Sequence, residues 1–188
     1  MKMLIVFNKP YGVICQFSPD DKHPTLKNYI PYPKVYPAGR LDTDSEGLLL
    51  LTDDGKLQSR ITSPKHHLPK TYWVQVEGIP DEKAIQNLQQ GVQLKDFRTL
   101  PATVQLLDRQ PEKVLWARNP PIRYRKNIPD SWLAITIHEG KNRQVRRMCA
   151  AVGFPCLRLV RVQIGKINLL DHQLALGEYR IIAPEDLI

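Results

Sequence analysis

Five carboxylates lie within one short segment of the chain, GRLDTDSEGLLLLTDDG, which runs from Gly39 to Gly55. They are Asp42, Asp44, Glu46, Asp53 and Asp54. Carboxylates at this density can coordinate a cation, cap turns and helices, or act as acids, bases and nucleophiles in catalysis. The segment therefore contains the strongest candidates for chemically active residues in this sequence.

The spacing D-x-D-x-E-G from Asp42, with Asp53 at the twelfth position, resembles a calcium-binding loop. The surrounding sequence does not support that interpretation. Helices flank such a loop, whereas YPKVYPAG just before it is a poor helix former, and positions 48–51 are four leucines suited to a buried strand. Asp53 is also shorter than the glutamate that normally closes the site. We therefore expect no metal here.

Two other interpretations of the carboxylates remain open at this point. Asp42 with Asp44 or Glu46 has the residue types of a glycosidase acid and base, although neighbours in a loop have no fixed separation. Alternatively Asp44, Glu46, Asp53 and Asp54 are turn formers and local caps. Asp42 differs from the others because it follows Arg40 by two residues and comes just before the leucine strand.

The chain carries 27 lysines and arginines against 19 aspartates and glutamates, which gives a formal net charge of +8. The proline-rich stretch 117–131 contains Arg118, Arg123, Arg125 and Lys126. Between positions 140 and 170 there are seven basic residues and no acidic one, namely Lys141, Arg143, Arg146, Arg147, Arg158, Arg161 and Lys166. Basic fields of this kind favour a polyanionic partner, most often a nucleic acid. A solvated surface that keeps the protein soluble is the simpler alternative.

The sequence gives no sign of several other function classes. It contains neither a G-x-x-x-x-G-K-[ST] nor a G-x-G-x-x-G phosphate-binding motif. The three cysteines, Cys15, Cys149 and Cys156, form no CxxC pair and are expected to be unpaired thiols. No apolar run approaches the roughly 20 residues that span a bilayer, and MKMLIVFNKP is no signal peptide. We expect a cytoplasmic protein with no membrane partner and no cofactor.

Hydrophobic patterns predict the elements that position these residues. In KTYWVQVEG the residues alternate, with Tyr72, Val74 and Val76 on one face of a strand. Further predicted strands are Leu4–Phe7, Leu48–Thr52, Ala102–Leu107, Trp132–His138, Leu159–Ile164 and Tyr179–Ile182, with short helices at Leu57–Ile61 and Asp81–Gln90. Because strands outnumber helices and do not alternate with them, we expect an α+β fold with a largely antiparallel sheet.

The clearest predicted helix runs from Asn142 to Val152, where Val145, Met148, Cys149 and Val152 form an apolar stripe. Viewed down the helix axis, the Arg146 side chain projects at about 100° from that of Val145, on the border between the core and solvent. Arg143 and Arg147 project nearly opposite the stripe, at about 160° and 200°. The three arginines therefore have different expected surroundings, and Arg146 is the one suited to a pocket rim.

Several of these stretches, taken in order, resemble the RsuA-type pseudouridine synthases, which isomerise uridine in ribosomal RNA. The matching segments are NKPYGV, GRLDTDSEGLLLLTDDG, KTYWVQVEG, EGKNRQVRRM, LVRVQIG and LGEYR, and they span nearly the whole chain. The segment ARNPPIRYRKNIPDSW is most similar to a branch that acts on the large ribosomal subunit. The resemblance implies a mixed, mainly antiparallel central sheet with flanking helices, and two sub-lobes around an active-site cleft.

The resemblance also implies roles for individual residues. Asp42, the aspartate of GRLD, would be the catalytic carboxylate, acting as a nucleophile or by removing a C2′ proton. Tyr72 would stack on the uracil, and Arg146 would be the basic partner of Asp42. Arg40 would help to hold the RNA and fill the space left by a flipped nucleotide, and Leu159 would offer an apolar contact near the base.

The resemblance further implies one catalytic domain over residues 1–188, acting as a monomer on large-subunit ribosomal RNA. Many relatives carry an S4-type RNA-binding domain before the catalytic core, whereas NKPYGV begins here at residue 8. We therefore expect the core to supply the phosphate contacts, from Lys141, Arg143, Arg147, Arg123, Arg125 and Lys126. A non-catalytic RNA-binding protein with the same fold and a carboxylate glycoside hydrolase are the competing hypotheses.

Overall fold

The computed structural model describes residues 2–187, and in that range it contains nine strands and four α-helices. The strands are β1 (Leu4–Lys9), β2 (Tyr36–Ala38), β3 (Glu46–Thr52), β4 (Lys70–Glu77), β5 (Thr103–Leu107), β6 (Asp130–Ile137), β7 (Cys156–Ile164), β8 (Ile167–Asn168) and β9 (Tyr179–Ile182). The helices are α1 (Gly55–Thr62), α2 (Glu82–Gln90), α3 (Gln110–Val114) and α4 (Gln144–Ala151). Short 3₁₀ turns complete the chain. This content confirms the expected α+β class.

The chain divides into two compact units, each with its own core. Unit 1 contains the chain up to Leu68 and from Arg161 onward, and unit 2 contains Pro69–Val160. Strand β7 therefore contributes its first residues to unit 2 and its last residues to unit 1. Among residues 2–187 no helix is long and apolar enough to cross a membrane.

Unit 1 is built on a small antiparallel sheet in which β1 pairs with β3 on one side and with β9 on the other. Strand β2 adds to the far edge of β3, and β8 pairs with the end of β7. Every residue of β1 and β3 is buried. Because both strands are covered on both faces, their sequences, LIVFNK and EGLLLLT, are nearly continuous apolar runs rather than alternating ones.

Unit 2 has an antiparallel sheet with β6 between β4 and β5. Tyr72, Val74 and Val76 of β4 face a core that also holds the apolar stripe of α4. The alternation in KTYWVQVEG therefore predicted the buried face of β4 correctly, although Gln75 on its other face is also buried. Helix α2 begins at the N-cap Asp81, which accepts a hydrogen bond from the Ala84 N–H, and ends before Gly91.

The structure differs from the sequence expectations in a few local elements. The five-residue α3 and the short β2 and β8 were not predicted, since each is too short to show a periodicity. Helix α4 begins at Gln144 rather than Asn142, because Arg143 adopts a left-handed conformation with φ 52°. The irregular stretch 117–131 is confirmed as far as Pro129, after which β6 begins.

Candidate active site

The Asp42 loop, residues 39–45, connects β2 to β3 in unit 1. It starts at Gly39 with φ +83°, a left-handed conformation that L side chains rarely adopt. The Ser45 N–H donates to the Asp42 carbonyl at 3.0 Å, and the Gly12 N–H donates to the Thr43 carbonyl at 2.8 Å. Asp42 itself is half-buried. The loop thus holds a partly accessible carboxylate on a hydrogen-bonded backbone.

Arg161 of β7 lies beneath this loop and is only 2% exposed. Its guanidinium donates to three backbone carbonyls: Nη2 to Gly39 at 2.7 Å, Nε to Leu48 at 2.9 Å and Nη1 to Arg40 at 3.5 Å. Two of these acceptors are the residues that open the Asp42 loop, and the third belongs to β3. A single side chain therefore ties the start of the loop to the sheet.

Lys9 at the end of β1 is a second buried cation beside the Asp42 loop, with 0% exposure. Its Nζ donates to the Val13 carbonyl at 2.8 Å, to the Pro10 carbonyl at 2.9 Å and to the Thr43 carbonyl at 3.4 Å. Burial lowers the pKa of Lys9 to about 8, against the opposing influence of Cys15 and of the nearby carboxylates Glu46, Asp44 and Asp42. The loop is thus braced by two buried cations that bind its carbonyl oxygens.

The remaining carboxylates of the segment divide into two kinds. Asp54 caps α1 by accepting from the Lys56 N–H at 3.0 Å, and Asp53 accepts from the Met3 N–H at 2.7 Å. Asp54 has the local capping role expected of it, whereas the donor to Asp53 lies fifty positions away in the chain. Glu46 does not: it is the first residue of β3 and only 1% exposed. Its interpretation as a turn former or local cap was wrong, because the strand begins two residues before the leucine run.

Unit 2 contributes the other predicted site residues. Tyr72 and Leu159 are 9% and 6% exposed and belong to the same core cluster as Val145 and Met148 of α4. Arg146 is half-buried at the border of that stripe, as the helical geometry predicted, and its Nη1 lies 3.7 Å from the Cys156 Sγ. Within unit 2, the tyrosine, the leucine and the helix that carries Arg146 are therefore brought together.

The basic side chains around α4 make more contacts within the protein than the sequence indicated. Arg147 is half-buried and pairs with Asp96 at 2.6 Å, and its guanidinium lies 5.4 Å from the centre of the Phe97 ring. Lys141 lies over the same ring at 5.8 Å. Arg143 is exposed, as expected, and precedes the regular helix as its N-cap. Arg147, expected to project away from the core, is half-buried like Arg146, so that expectation was wrong.

The basic loop, residues 117–129, contains no helix or strand. Arg123 and Lys126 are exposed, whereas Arg125 forms an ion pair with Glu77 of β4. Tyr124 is 58% exposed, and its hydroxyl accepts a hydrogen bond from Gln75 Nε2 at 3.2 Å. The loop therefore presents cations to solvent while two neighbouring side chains attach it to β4.

Counting charges along the sequence missed that two arginines of β7 are buried. Arg158 is 7% exposed and donates to the Trp116 carbonyl at 2.9 Å, and Arg161 is buried beneath the Asp42 loop. Both had been counted in the basic field expected to bind a polyanion. The signal was present in LRLVRVQI, where each arginine interrupts a run suited to a buried strand.

In chemical terms, unit 1 holds a carboxylate on a braced loop, and unit 2 holds a tyrosine near an arginine-bearing helix.

A family model described as RNA pseudouridylate synthase matches residues 3–151 of this chain. A solved structure described as the crystal structure of pseudouridylate synthase has a TM-score of 0.82 and 36% identity, covering 100% of this chain and 74% of that one.

Curated relatives are more similar in sequence. Ribosomal large subunit pseudouridine synthase E of Vibrio parahaemolyticus is 56% identical over 172 residues, 92% of this chain and 71% of that protein. Its namesake in Xanthomonas axonopodis pv. citri is 58% identical over 169 residues, covering 89% of this chain and 88% of that protein. Because the family model matches most of the chain and these relatives exceed half identity over nearly all of it, the chain belongs to the RNA pseudouridylate synthase family.

Proposed function

We propose that this chain converts a specific uridine of large-subunit ribosomal RNA to pseudouridine, with Asp42 as its catalytic carboxylate. The relatives named large subunit pseudouridine synthase E support the choice of RNA. The observation that carries the assignment to Asp42 is its position: a half-buried carboxylate on a loop whose carbonyls are fixed by Arg161 and Lys9. Preorganised groups of this kind are what catalysis requires.

The reaction is an isomerisation. The N1–C1′ bond of uridine breaks, the uracil turns, and a C5–C1′ bond forms, while C5 loses a proton and N1 gains one. No external nucleophile, oxidant or reductant is consumed. The carboxylate of Asp42 acts at the C1′–C2′ region of the ribose, either by attacking C1′ or by removing a proton from C2′.

The target base must leave its stack to reach such a carboxylate, which costs a few kcal/mol. Arg40, an exposed residue two positions before Asp42, fills the space that the base vacates. Tyr72 stacks on the extruded uracil, a contact worth about 1–3 kcal/mol, and Leu159 of the same core cluster borders the base. For Arg146 we propose the role of basic partner to the catalytic carboxylate during the reaction.

Phosphate contacts come from exposed and half-exposed cations of unit 2. Arg123 and Lys126 of the basic loop and Lys141 and Arg143 before α4 are exposed to solvent. Arg125 and Arg147 are held by Glu77 and Asp96 in this structure, and they exchange these carboxylates for phosphate when RNA binds. Each such contact contributes affinity that decreases as the salt concentration rises.

The decisive variant is Asp42→Asn, which removes the carboxylate and preserves its size. We expect turnover to fall at least about 1,000-fold, because the lost group acts on the reacting atoms, whereas RNA affinity changes little. Turnover is measured as release of tritium from C5 of 5-tritiated uridine in the RNA. Asp44→Asn is the matched control, since Asp44 lies in the same loop and is also half-buried.

Different results would lead to different conclusions. If Asp42→Asn retained turnover within about threefold of the parent, Asp42 would not be the catalytic carboxylate. If Asp44→Asn were the inactive variant, the catalytic role would move to that residue. Release of free uracil from the RNA would indicate a glycoside hydrolase instead of an isomerase.

A further inference from the structure

We propose that Arg161 is a positioning residue for catalysis, which sets the location of the Asp42 carboxylate by fixing the backbone of the Asp42 loop. The inference rests on the proposed role of Asp42. Arg161 does not act on the RNA, because its side chain is almost completely buried in unit 1. Its influence on the reaction passes through the carbonyls to which it donates.

The geometry of the three hydrogen bonds carries the proposal. The Leu48 carbonyl belongs to β3, whose backbone is fixed by pairing with β1 from Gly47 to Thr52. The Gly39 and Arg40 carbonyls lie at the start of the Asp42 loop, two to three residues before Asp42. One planar guanidinium therefore sets the start of the loop against a rigid strand, at distances of 2.7–3.5 Å.

A second observation comes from Gly39 itself. Its φ of +83° is unfavourable for L side chains, and a Cβ added there would lie 4.0 Å from Arg161 Nη1. The position thus has room for a methyl group, and the backbone conformation rather than space favours glycine. This conformation accompanies the shortest of the three hydrogen bonds, between the Gly39 carbonyl and Arg161 Nη2 at 2.7 Å.

Lysine cannot replace arginine in this role. A guanidinium presents five donors in a fixed planar fork, whereas an ammonium is a compact point charge on a flexible stem. The three acceptors here are served by Nε, Nη1 and Nη2 separately. Arg161→Lys therefore retains the charge beneath the loop and loses the simultaneous contact with Gly39, Arg40 and Leu48.

The experiment compares Arg161→Met and Arg161→Lys with Arg158→Met as the matched control. Arg158 is also a buried arginine of β7 that donates to a backbone carbonyl, but its acceptor is Trp116 and not the Asp42 loop. For each variant, kcat and KM are measured over a range of concentrations of the same RNA, and thermal unfolding gives the folded fraction. All rates are expressed per folded molecule.

We expect kcat to fall about 30- to 100-fold in Arg161→Met, since a displacement of about 1 Å at a reacting group can cost that much. KM stays within about threefold. In Arg161→Lys, stability is higher than in Arg161→Met, but kcat remains at least about 10-fold below that of the parent. Arg158→Met keeps the kcat of the parent. A purely structural role would instead lower the folded fraction and leave kcat per folded molecule unchanged in both Arg161 variants, which would overturn the proposal.

Gly39→Ala keeps the test decisive even if Arg161→Met fails to fold. It strains the backbone at the shortest hydrogen bond and leaves the Arg161 side chain in place, so we expect the same loss of kcat at unchanged KM. A kcat within threefold of the parent in Gly39→Ala and Arg161→Lys contradicts the proposal. Asp42→Asn is assayed in parallel. If it is active, the proposed catalytic role of Asp42 fails; if it is inactive while Gly39→Ala and Arg161→Lys keep the kcat of the parent, only the positioning role of Arg161 fails.

Discussion

The Asp42 loop and the basic loop both carry polar side chains that we assign to the reaction, but they are held in different ways. In the Asp42 loop, buried cations bind the backbone itself: Arg161 binds the Gly39 and Arg40 carbonyls, and Lys9 binds the Thr43 carbonyl. The basic loop is attached mainly through side chains, by the Arg125–Glu77 ion pair, the Tyr124–Gln75 hydrogen bond and the donation from Arg118 to the Leu157 carbonyl at 3.2 Å. Its main chain is bound at its end, where the Pro129 carbonyl accepts from the Gly78 N–H at 2.6 Å. The Asp42 loop is bound by buried cations along its main chain, whereas the basic loop is held mainly by particular side chains and at its end.

This difference corresponds to what each loop has to do. A catalytic carboxylate acts on particular bonds, and its effect decreases steeply with misplacement. A phosphate contact depends mainly on net charge, extends over a Debye length of about 8 Å, and tolerates changes in side-chain conformation. The protein therefore uses its buried cations to fix the position of the Asp42 loop and its exposed cations to attract phosphate. The sign of the charge alone does not distinguish the two kinds of cation.

The first way to test this separation is the pH dependence of stability, where Lys9 has the largest expected effect. Burial lowers its pKa from the ordinary value of 10.5 to about 8. Between these values the unfolded chain binds more protons than the folded one, so the contribution of Lys9 to the free energy of unfolding increases with pH. The full change is at most roughly 3 kcal/mol. Denaturant unfolding at pH 7 and pH 10 measures it.

Lys9→Met should remove this increase, so that the difference in unfolding free energy between parent and variant changes with pH. Lys126→Met in the basic loop is the control, because Lys126 is exposed. The difference in unfolding free energy between Lys126→Met and the parent should stay constant from pH 7 to pH 10. If Lys9→Met also ran parallel to the parent from pH 7 to pH 10, Lys9 would not be a buried titrating cation, and the contrast between the loops would weaken.

Much of the fold could be predicted from the sequence because it depends on periodicity. The stripe of Val145, Met148 and Cys149 identified α4, and the alternation around Tyr72 identified the buried face of β4. The half-buried position of Arg146 followed from the same helical geometry. Family motifs added the assignment to the pseudouridylate synthases, which the comparisons confirm.

The support of the Asp42 loop could not be predicted in this way. Arg161, Lys9 and Glu46 are charged, and charged residues are seldom fully buried, so composition places them at the surface. The two cations, Arg161 and Lys9, can be buried because backbone carbonyls at 2.7–3.5 Å accept their hydrogen bonds. The run LRLVRVQI does indicate that Arg161 lies in a buried strand. Its acceptors, however, come from residues up to 122 positions away in the chain, and no local pattern indicates which carbonyls they are.

The second test concerns the exposed cations, with a smaller expected effect. Arg123→Ala combined with Lys126→Ala should weaken RNA binding and reduce the slope of log affinity against log salt by about 1.5, since each phosphate contact contributes about 0.7–0.9. Arg125 is left in place because its pair with Glu77 would confuse the result. Binding to the RNA substrate is measured between about 50 and 200 mM salt.

Lys56→Ala with Arg60→Ala is the matched control for this pair, because both are exposed cations on α1. Its salt slope should equal that of the parent. Equal reductions in both double variants would mean that the basic loop only adds to the general positive charge. An unchanged slope in the Arg123 and Lys126 variant would show that the loop does not contact phosphate.

The smallest expected effect comes from the exposed Asp96, which forms an ion pair with the half-buried Arg147 at 2.6 Å. Such pairs contribute about 0–1 kcal/mol, so Asp96→Asn should alter thermal stability little. If Arg147 contacts phosphate, removing its competing carboxylate should raise RNA affinity about two- to threefold. Asp171→Asn, at another exposed aspartate, corrects for the general change in charge. Equal gains in both variants, or no gain in Asp96→Asn, would assign Arg147 to the support of the Phe97 ring and not to RNA, and Arg147 would then join the cations used for geometry.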